Sequence, residues 1–299
     1  MKAKRSKDSK DSINSTDPLD SPNSLNSPDS LNSRDSLDSR IQEYRDRKWR
    51  RTPESRIETA SQVEQLIEDI GFCYALTDIR TDLPSVYISV CGRRDAYMPK
   101  NVQKDPEASL SWVLKDEVMR RGKVYYGKLN KGKAMFIAPR LIPYFNAIWG
   151  VSRTAEKSAL SVSAQKVLKV LREEWEMATI DLRTETGITS RKFMTRAIDT
   201  LQKHFKVIPA EAVYAPKFSY IWTLAEARFP EQLSQKVKRK DALRELARAF
   251  LLMQGMTKLG ELSRTLGLSR KEAGVGNHLL VDEGFAERIS NGVYKLKEL

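Results

Sequence analysis

The sequence predicts a mainly helical α+β protein: tandem winged-helix domains, each a helix-turn-helix with a β-hairpin wing, following a disordered N-terminal tail. Three observations predict it. Residues 161–224 read as three helices and a hairpin, the same order returns between residues 241 and 296, and the first 40 residues hold a three-residue serine period with no aromatic side chain.

The tail comes first. From Ser21 to Ser39 a serine falls at every third position, while Ile13, Leu19, Leu25, Leu31 and Leu37 recur at every sixth. These apolar groups are too few to offset the entropy of ordering the chain, so residues 1–40 are expected to be disordered. Their seven basic and seven acidic residues cancel, which leaves the whole net charge of +13 in residues 41–299. In "YRDRKWRRTPES", Arg45, Arg47, Lys48, Arg50 and Arg51 surround Trp49 and Pro53 stops any helix. Residues 41–56 are therefore expected to be a basic arm or a solvated linker.

A first folded unit, a winged-helix-like domain, is expected over residues 57–150. Ser61-Gln62-Val63-Glu64 has capping-box spacing, Val63, Leu66, Ile67 and Ile70 form a helical stripe, and Gly71 suits the position just beyond the helix. A short helix should run from Pro84 to before Gly92, and a longer one from Asp105-Pro106-Glu107 to before Gly122. "YYGKLNKGKAMF", at 125–136, then reads as the core of a basic hairpin spanning 123–138. Gly132 supplies the positive φ that a three-residue loop over Asn130-Lys131-Gly132 requires. An apolar helix follows near residues 141–149.

The second unit, residues 160–228, should hold helices at 163–175, 181–185 and 190–205. Its strands "KVIPAEAVY" and "FSYIWTL" meet across Ala215-Pro216-Lys217. The third, residues 229–299, repeats the order with helices at 241–255, 259–266 and 269–283. "FAERISNGVYKL" closes it, with Asn291-Gly292 as the two-residue turn signal.

Composition narrows the function. Lys plus Arg outnumber Asp plus Glu by 52 to 39 and the pI is near 9.6, which favours a polyanionic partner, double-stranded DNA first. Cys73, Cys91, His204 and His278 supply neither a disulfide framework nor a zinc cluster, and both cysteines sit among apolar neighbours as core residues. With no phosphate-binding glycine loop, no dinucleotide fingerprint and no nucleophile paired with a histidine, no cofactor and no metal is expected. No apolar run reaches membrane-spanning length and the N-terminus leads into serines instead of a signal core. The expected setting is reducing and cytoplasmic, on the nucleoid if the source is a prokaryote.

Two elements are candidates for DNA contact. In the helix from Ser190, Met194, Ile198, Leu201 and Phe205 form the core stripe, Lys192, Arg196 and Lys203 project opposite as phosphate anchors, and Arg191, Thr195 and Gln202 lie on the flank as base-edge donors. Asp199 among them opposes this, and a solvated outer face is the alternative. The hairpin region is more basic still: residues 115–140 carry eight cations against Asp116 and Glu117. Alternation puts Val124 and Tyr126 on one strand face and Tyr125 and Leu129 on the other. Lys128, Lys131 and Lys133 are expected to form a tip that probes the narrow groove, with Tyr125 or Tyr126 stacking on a displaced base. The alternative is a lysine-guarded strand edge. His204 reads as a cap or phosphate contact, "KVKRK" at 236–240 as a solvated joint, and the helix at 269–283, interrupted by Gly274 and Gly276, as structural.

"GFCYAL" at 71–76 and "LKDEVMRRGKVYYGKLNKGKAMFIAPRLIPYF" at 114–145, with the expected winged helices downstream, resemble the AlkZ-related proteins. These are winged-helix relatives of the AlkZ (YcaQ-like) crosslink-repair DNA glycosylases, and the likeness spans roughly residues 57–299. It implies tandem winged helices on duplex DNA, without by itself implying base excision. The glycosylases of that superfamily use a motif of Gln, an apolar residue, then Asp or Gln; the resemblance places it at Cys73-Tyr74-Ala75 or the neighbouring register, where no such side chain stands. No catalytic residue is assigned, and Asp78, Asp82 and Asp116 are the nearby carboxylates. The expected function is duplex-DNA binding that recognises shape or damage. Excision of alkylated or crosslinked bases and a protein-binding scaffold are the alternatives.

Overall fold

Thr59, Ser85, Asp105, Ser161 and Ser269 each cap a helix start by accepting from a backbone N–H in its first turn. A computed structural model describes residues 28–129 and 132–299; the start of the serine tail, Asn130 and Lys131 lie outside the described residues. Helix α1 (Pro28–Lys48) crosses the boundary expected at residue 40, so residues 28–40, expected to be disordered, are helical here. The chain divides at that point into Met1–Ser39 and a second unit, Arg40–Leu299. The expected linker is part of the second unit. Ile41, Arg45 and Trp49 recur one turn apart and are buried, because the Arg45 guanidinium donates to the carbonyls of Gln254 (3.0 Å) and Met256 (3.1 Å) and the Trp49 indole donates to that of Met253 (2.9 Å). Helical stability of this kind comes from tertiary packing, which local composition does not announce.

Helix α2 (Ala60–Ile70) is capped by Thr59 and Gln62, two residues earlier than Ser61 and Glu64: the Thr59 hydroxyl accepts from the Gln62 backbone N–H and the Gln62 side-chain oxygen accepts from the Thr59 backbone N–H. Strand β1 (Phe72–Tyr74) follows, then α3 (Val86–Cys91), capped by Ser85, and α4 (Pro106–Arg121), whose Asp105 cap and Gly122 stop are as expected. Strands β2 (Tyr125–Lys128) and β3 (Ala134–Ile137) form the basic hairpin, with Gly132 at φ 67° in its turn. β3 is central in an antiparallel sheet ordered β1-β3-β2, pairing Tyr126 with Phe136 and Phe136 with Cys73. Helix α5 (Ile142–Trp149) completes this part.

The next segment runs α6 (Glu156–Ala159), α7 (Val162–Glu174), β4 (Glu176–Ala178), α8 (Thr179–Thr186), α9 (Arg191–Lys203), β5 (Val207–Val213) and β6 (Ser219–Leu224). The short β4 was not expected; it pairs with β6 in a sheet ordered β4-β6-β5. Two short helices, α10 (Ala225–Arg228) and α11 (Pro230–Ser234), lead to α12 (Arg239–Gln254), α13 (Glu261–Leu266), α14 (Arg270–Asp282) and the hairpin β7 (Ala286–Ser290)–β8 (Val293–Leu296).

The cores do not follow the expected domain boundaries. One cluster is confined to residues 160–224, whereas the larger one joins residues 57–145 to residues 243–296 and also takes in Phe205, Ile208, Ala225 and Phe229. Helix α12 packs against both α5 and α14, so the first and last segments share one apolar interior around the middle one.

Candidate nucleic-acid interface

Helix α9 has the two faces that its periodicity predicts. Met194, Ala197, Ile198 and Leu201 are buried, while Arg191, Lys192, Thr195, Arg196 and Lys203 are exposed. Gln202 departs from expectation. It is 2% exposed, and its amide oxygen accepts from the backbone N–H of Lys128 at 2.9 Å, so it ties α9 to β2 and is unavailable to a base edge. The reason is that α9 lies against the basic hairpin, which sequence spacing alone does not place there.

That contact brings the two candidate elements together. Lys128 and Gly132 of the hairpin, Arg196 and Lys203 of α9, and Ser161 and Val162 at the start of α7 line one open cleft of about 890 Å³. Lys128 Nζ stands 3.6 Å from Asp199 Oδ1, which partly neutralises the cleft, and Lys133 lies over the Tyr74 ring at 5.1 Å. Arg191, Lys192 and Thr195 are exposed on α9 but do not line the cleft; Lys131 lies outside the described residues. Phe193, 56% exposed beside Arg196, joins the lining without having been expected. Its place off the apolar stripe of α9 was the available signal.

Tyr125 and Tyr126 are corrected. They are 0% and 6% exposed, Tyr125 packing on Phe205 and Phe229 at ring separations of 4.9 and 5.7 Å and Tyr126 on Phe136 at 4.8 Å. Burial pushes both phenols well above their ordinary pKa. Alternation separates the two rings to opposite strand faces, but β5 and α9 pack against β2 and both rings end in the core. Neither ring can reach a displaced base.

The nearby carboxylates are all engaged. Asp78 accepts from the Arg80 guanidinium, which lowers its pKa against the opposing effect of burial, and from the Met98 backbone N–H at 3.2 Å. Asp82 pairs with Lys258 and, at 3.6 Å, with Arg45. Asp116 Oδ1 lies 2.6 Å from Lys115 Nζ, and its other oxygen accepts from Tyr214. Cys73 and Cys91 are buried free thiols, the latter pushed up to about 12 by burial. His204 caps the C-terminus of α9 and its Nδ1 is 2.7 Å from the Trp149 carbonyl. Among the described residues no helix is long and apolar enough to cross a membrane, and no group of His, Cys, Asp and Glu is placed to hold a metal.

No curated protein matches the chain. Among solved structures it is similar to the DNA glycosylase AlkZ of Streptomyces sahachiroi, at 14% sequence identity and a TM-score of 0.53, over 86% of this chain and 69% of that one. At that identity the likeness shows a shared fold. The family model for AlkZ-related proteins matches residues 57–264, and the chain belongs to the AlkZ-related family.

Proposed function

We propose that this protein binds duplex DNA in a repair setting, recognising shape or damage, with the basic hairpin and helix α9 as its two contacts. One observation carries this: Lys128 on the hairpin and Arg196 and Lys203 on α9 converge on a single cleft, although 68 residues or more separate them in sequence. The net charge of +13 gives that convergence a polyanion to serve. The order helix, strand, helix, helix, hairpin over α7 to β6 supports a winged-helix reading in which α9 is the reading helix, with Arg191 and Thr195 free for base edges and Lys192 for phosphate. The order of α12 to β8 supports a second such unit. A slim hairpin with Lys128 and Lys133 exposed suits the narrow groove, where width and deformability are sensed without base contacts.

Base excision is the second reading, favoured by the fold shared with a DNA glycosylase. Against it stand Cys73, Tyr74 and Ala75, buried in and beside β1 with no carboxylate or amide side chain, and three neighbouring aspartates already paired. A single panel tests both readings: duplex affinity measured across a salt series, and release of free base from alkylated and crosslinked duplexes. Salt-dependent binding without base release is the expected result; binding with base release would establish the second reading, and salt-independent or absent binding would overturn both.

A further inference from the structure

With Tyr125 and Tyr126 inside the core, the aromatic rings free to meet a base lie elsewhere. Trp112 and Val113 face outward from α4, 38% and 59% exposed, and Tyr214 and Phe218 flank the β5–β6 turn at 54% and 51%. Between Trp112, Val113 and Tyr214 opens a mostly apolar cavity of about 640 Å³, which Val102, Gln103, Ser109 and Asp116 also line, and Phe218 packs beside Tyr214 at a ring separation of 5.4 Å. Contiguous exposed aromatics of this size mark a binding surface more often than a chance exposure.

The rings are held in place. The Trp112 indole donates to the Tyr214 hydroxyl at 2.5 Å, the same hydroxyl donates to the Asp116 carboxylate, and Asp116 is neutralised from inside by Lys115, which is 1% exposed. Lys115 Nζ also sits 4.3 Å from the Trp112 ring centroid and 3.4 Å from the Tyr220 hydroxyl. Side chains fixed in this way lose little further rotamer freedom when a ligand stacks on them. Cations stand close by in the chain: exposed Lys104 follows Gln103, exposed Lys100 lies two residues before Val102, and exposed Lys217 stands in the turn between Tyr214 and Phe218.

We infer that this cavity is a stacking site for an unpaired nucleobase, drawn from a single strand or displaced from a duplex; the inference rests on the DNA-binding reading above. Exposed aromatic faces with lysines nearby are the combination that holds single-stranded nucleic acid, the rings taking bases and the cations taking phosphates. Lys115 lies over one face of the Trp112 ring, 4.3 Å from its centroid, so a base would stack on the face turned away from it. A paired base, stacked on both sides in the helix, cannot enter.

The test measures fluorescence anisotropy of three labelled DNAs of one sequence: a single strand of about 12 nucleotides, its full duplex, and a duplex with one bulged base. The proteins are the wild type, Tyr214→Ser, Trp112→Leu and the ring-retaining Trp112→Phe. Tyr214→Ser and Trp112→Leu should each weaken single-strand and bulge binding by about tenfold while full-duplex binding stays within about twofold, and Trp112→Phe should bind as wild type. Because Tyr214 is exposed on a turn, Tyr214→Ser keeps the test valid if a Trp112 variant fails to fold. Single-strand and bulge affinities unchanged in a folded Tyr214→Ser protein would overturn the site, as would an equal loss on all three DNAs. Wild type that binds duplex but neither unpaired DNA refutes the stacking site alone; wild type that binds none of the three refutes the DNA-binding reading itself.

Discussion

The β2–β3 and β5–β6 hairpins are built from similar residues and end in opposite roles. Both carry tyrosines and a lysine-bearing turn. In the first, Tyr125 and Tyr126 are interior and, among the described turn residues, Lys128, Gly132 and Lys133 reach solvent; in the second, Tyr214 and Phe218 stand half-exposed beside Lys217. The difference lies in what covers each strand. β2 is an edge strand against which β5 and α9 pack, and both its tyrosines lie in the core, whereas beside the β5–β6 turn Tyr214 meets α4 through Trp112 and Asp116 and keeps half its surface exposed. Strand composition sets which residues tolerate burial, and neighbouring elements decide whether burial happens.

The largest expected effect breaks the buried side of this comparison. Tyr125→Ala should remove about 3–5 kcal/mol of stability in denaturant unfolding, as for other large aromatic truncations in a core, whereas Tyr214→Ala should stay within about 0.5 kcal/mol. Equal losses would mean that the two tips are equally packed. Next, Lys128→Ser with Arg196→Ser and Lys203→Ser should flatten the plot of log duplex affinity against log salt by about 0.9 for each phosphate contact removed, with the fold intact by circular dichroism. An unchanged slope would move the interface away from the cleft.

Asp199→Asn sharpens the same side with a gain. Freed of its partner at 3.6 Å, Lys128 should bind duplex more tightly by about two- to fivefold, the range of a weak exposed ion pair. Weaker binding would show that Asp199 positions Lys128 for its phosphate. The smallest effect concerns the exposed tip. Burial and the hydrogen bond to Asp116 raise the Tyr214 pKa from 10.0 to about 12, with the Trp112 bond opposing them. A raised folded-state pKa contributes stability that is complete below pH 10 and is lost as pH rises from 10 to 12. Tyr214→Phe should therefore lose stability less steeply than wild type across that window in pH-dependent thermal unfolding; identical curves would show that the hydroxyl stitch is not maintained in solution.

Much of the chain's local order is legible in its residues. Asp105 and Gly122 mark the ends of α4, Gly132 and Gly292 mark turns at positive φ, and the stripe Met194, Ile198, Leu201 gives α9 its buried face. Caps, turns and periodicity are properties of a few contiguous residues, so sequence alone determined the longer helices from α2 onward, the hairpins, the basic surplus and the resemblance to the AlkZ-related family. Only the tertiary structure decided that Arg45 and Trp49 belong to a buried helix end, that Gln202 holds the hairpin instead of facing solvent, and that Tyr125 and Tyr126 are core while Trp112 and Tyr214 are surface. Each of these depends on a partner tens to hundreds of residues away, and a periodic pattern names the face of an element without naming what will cover it.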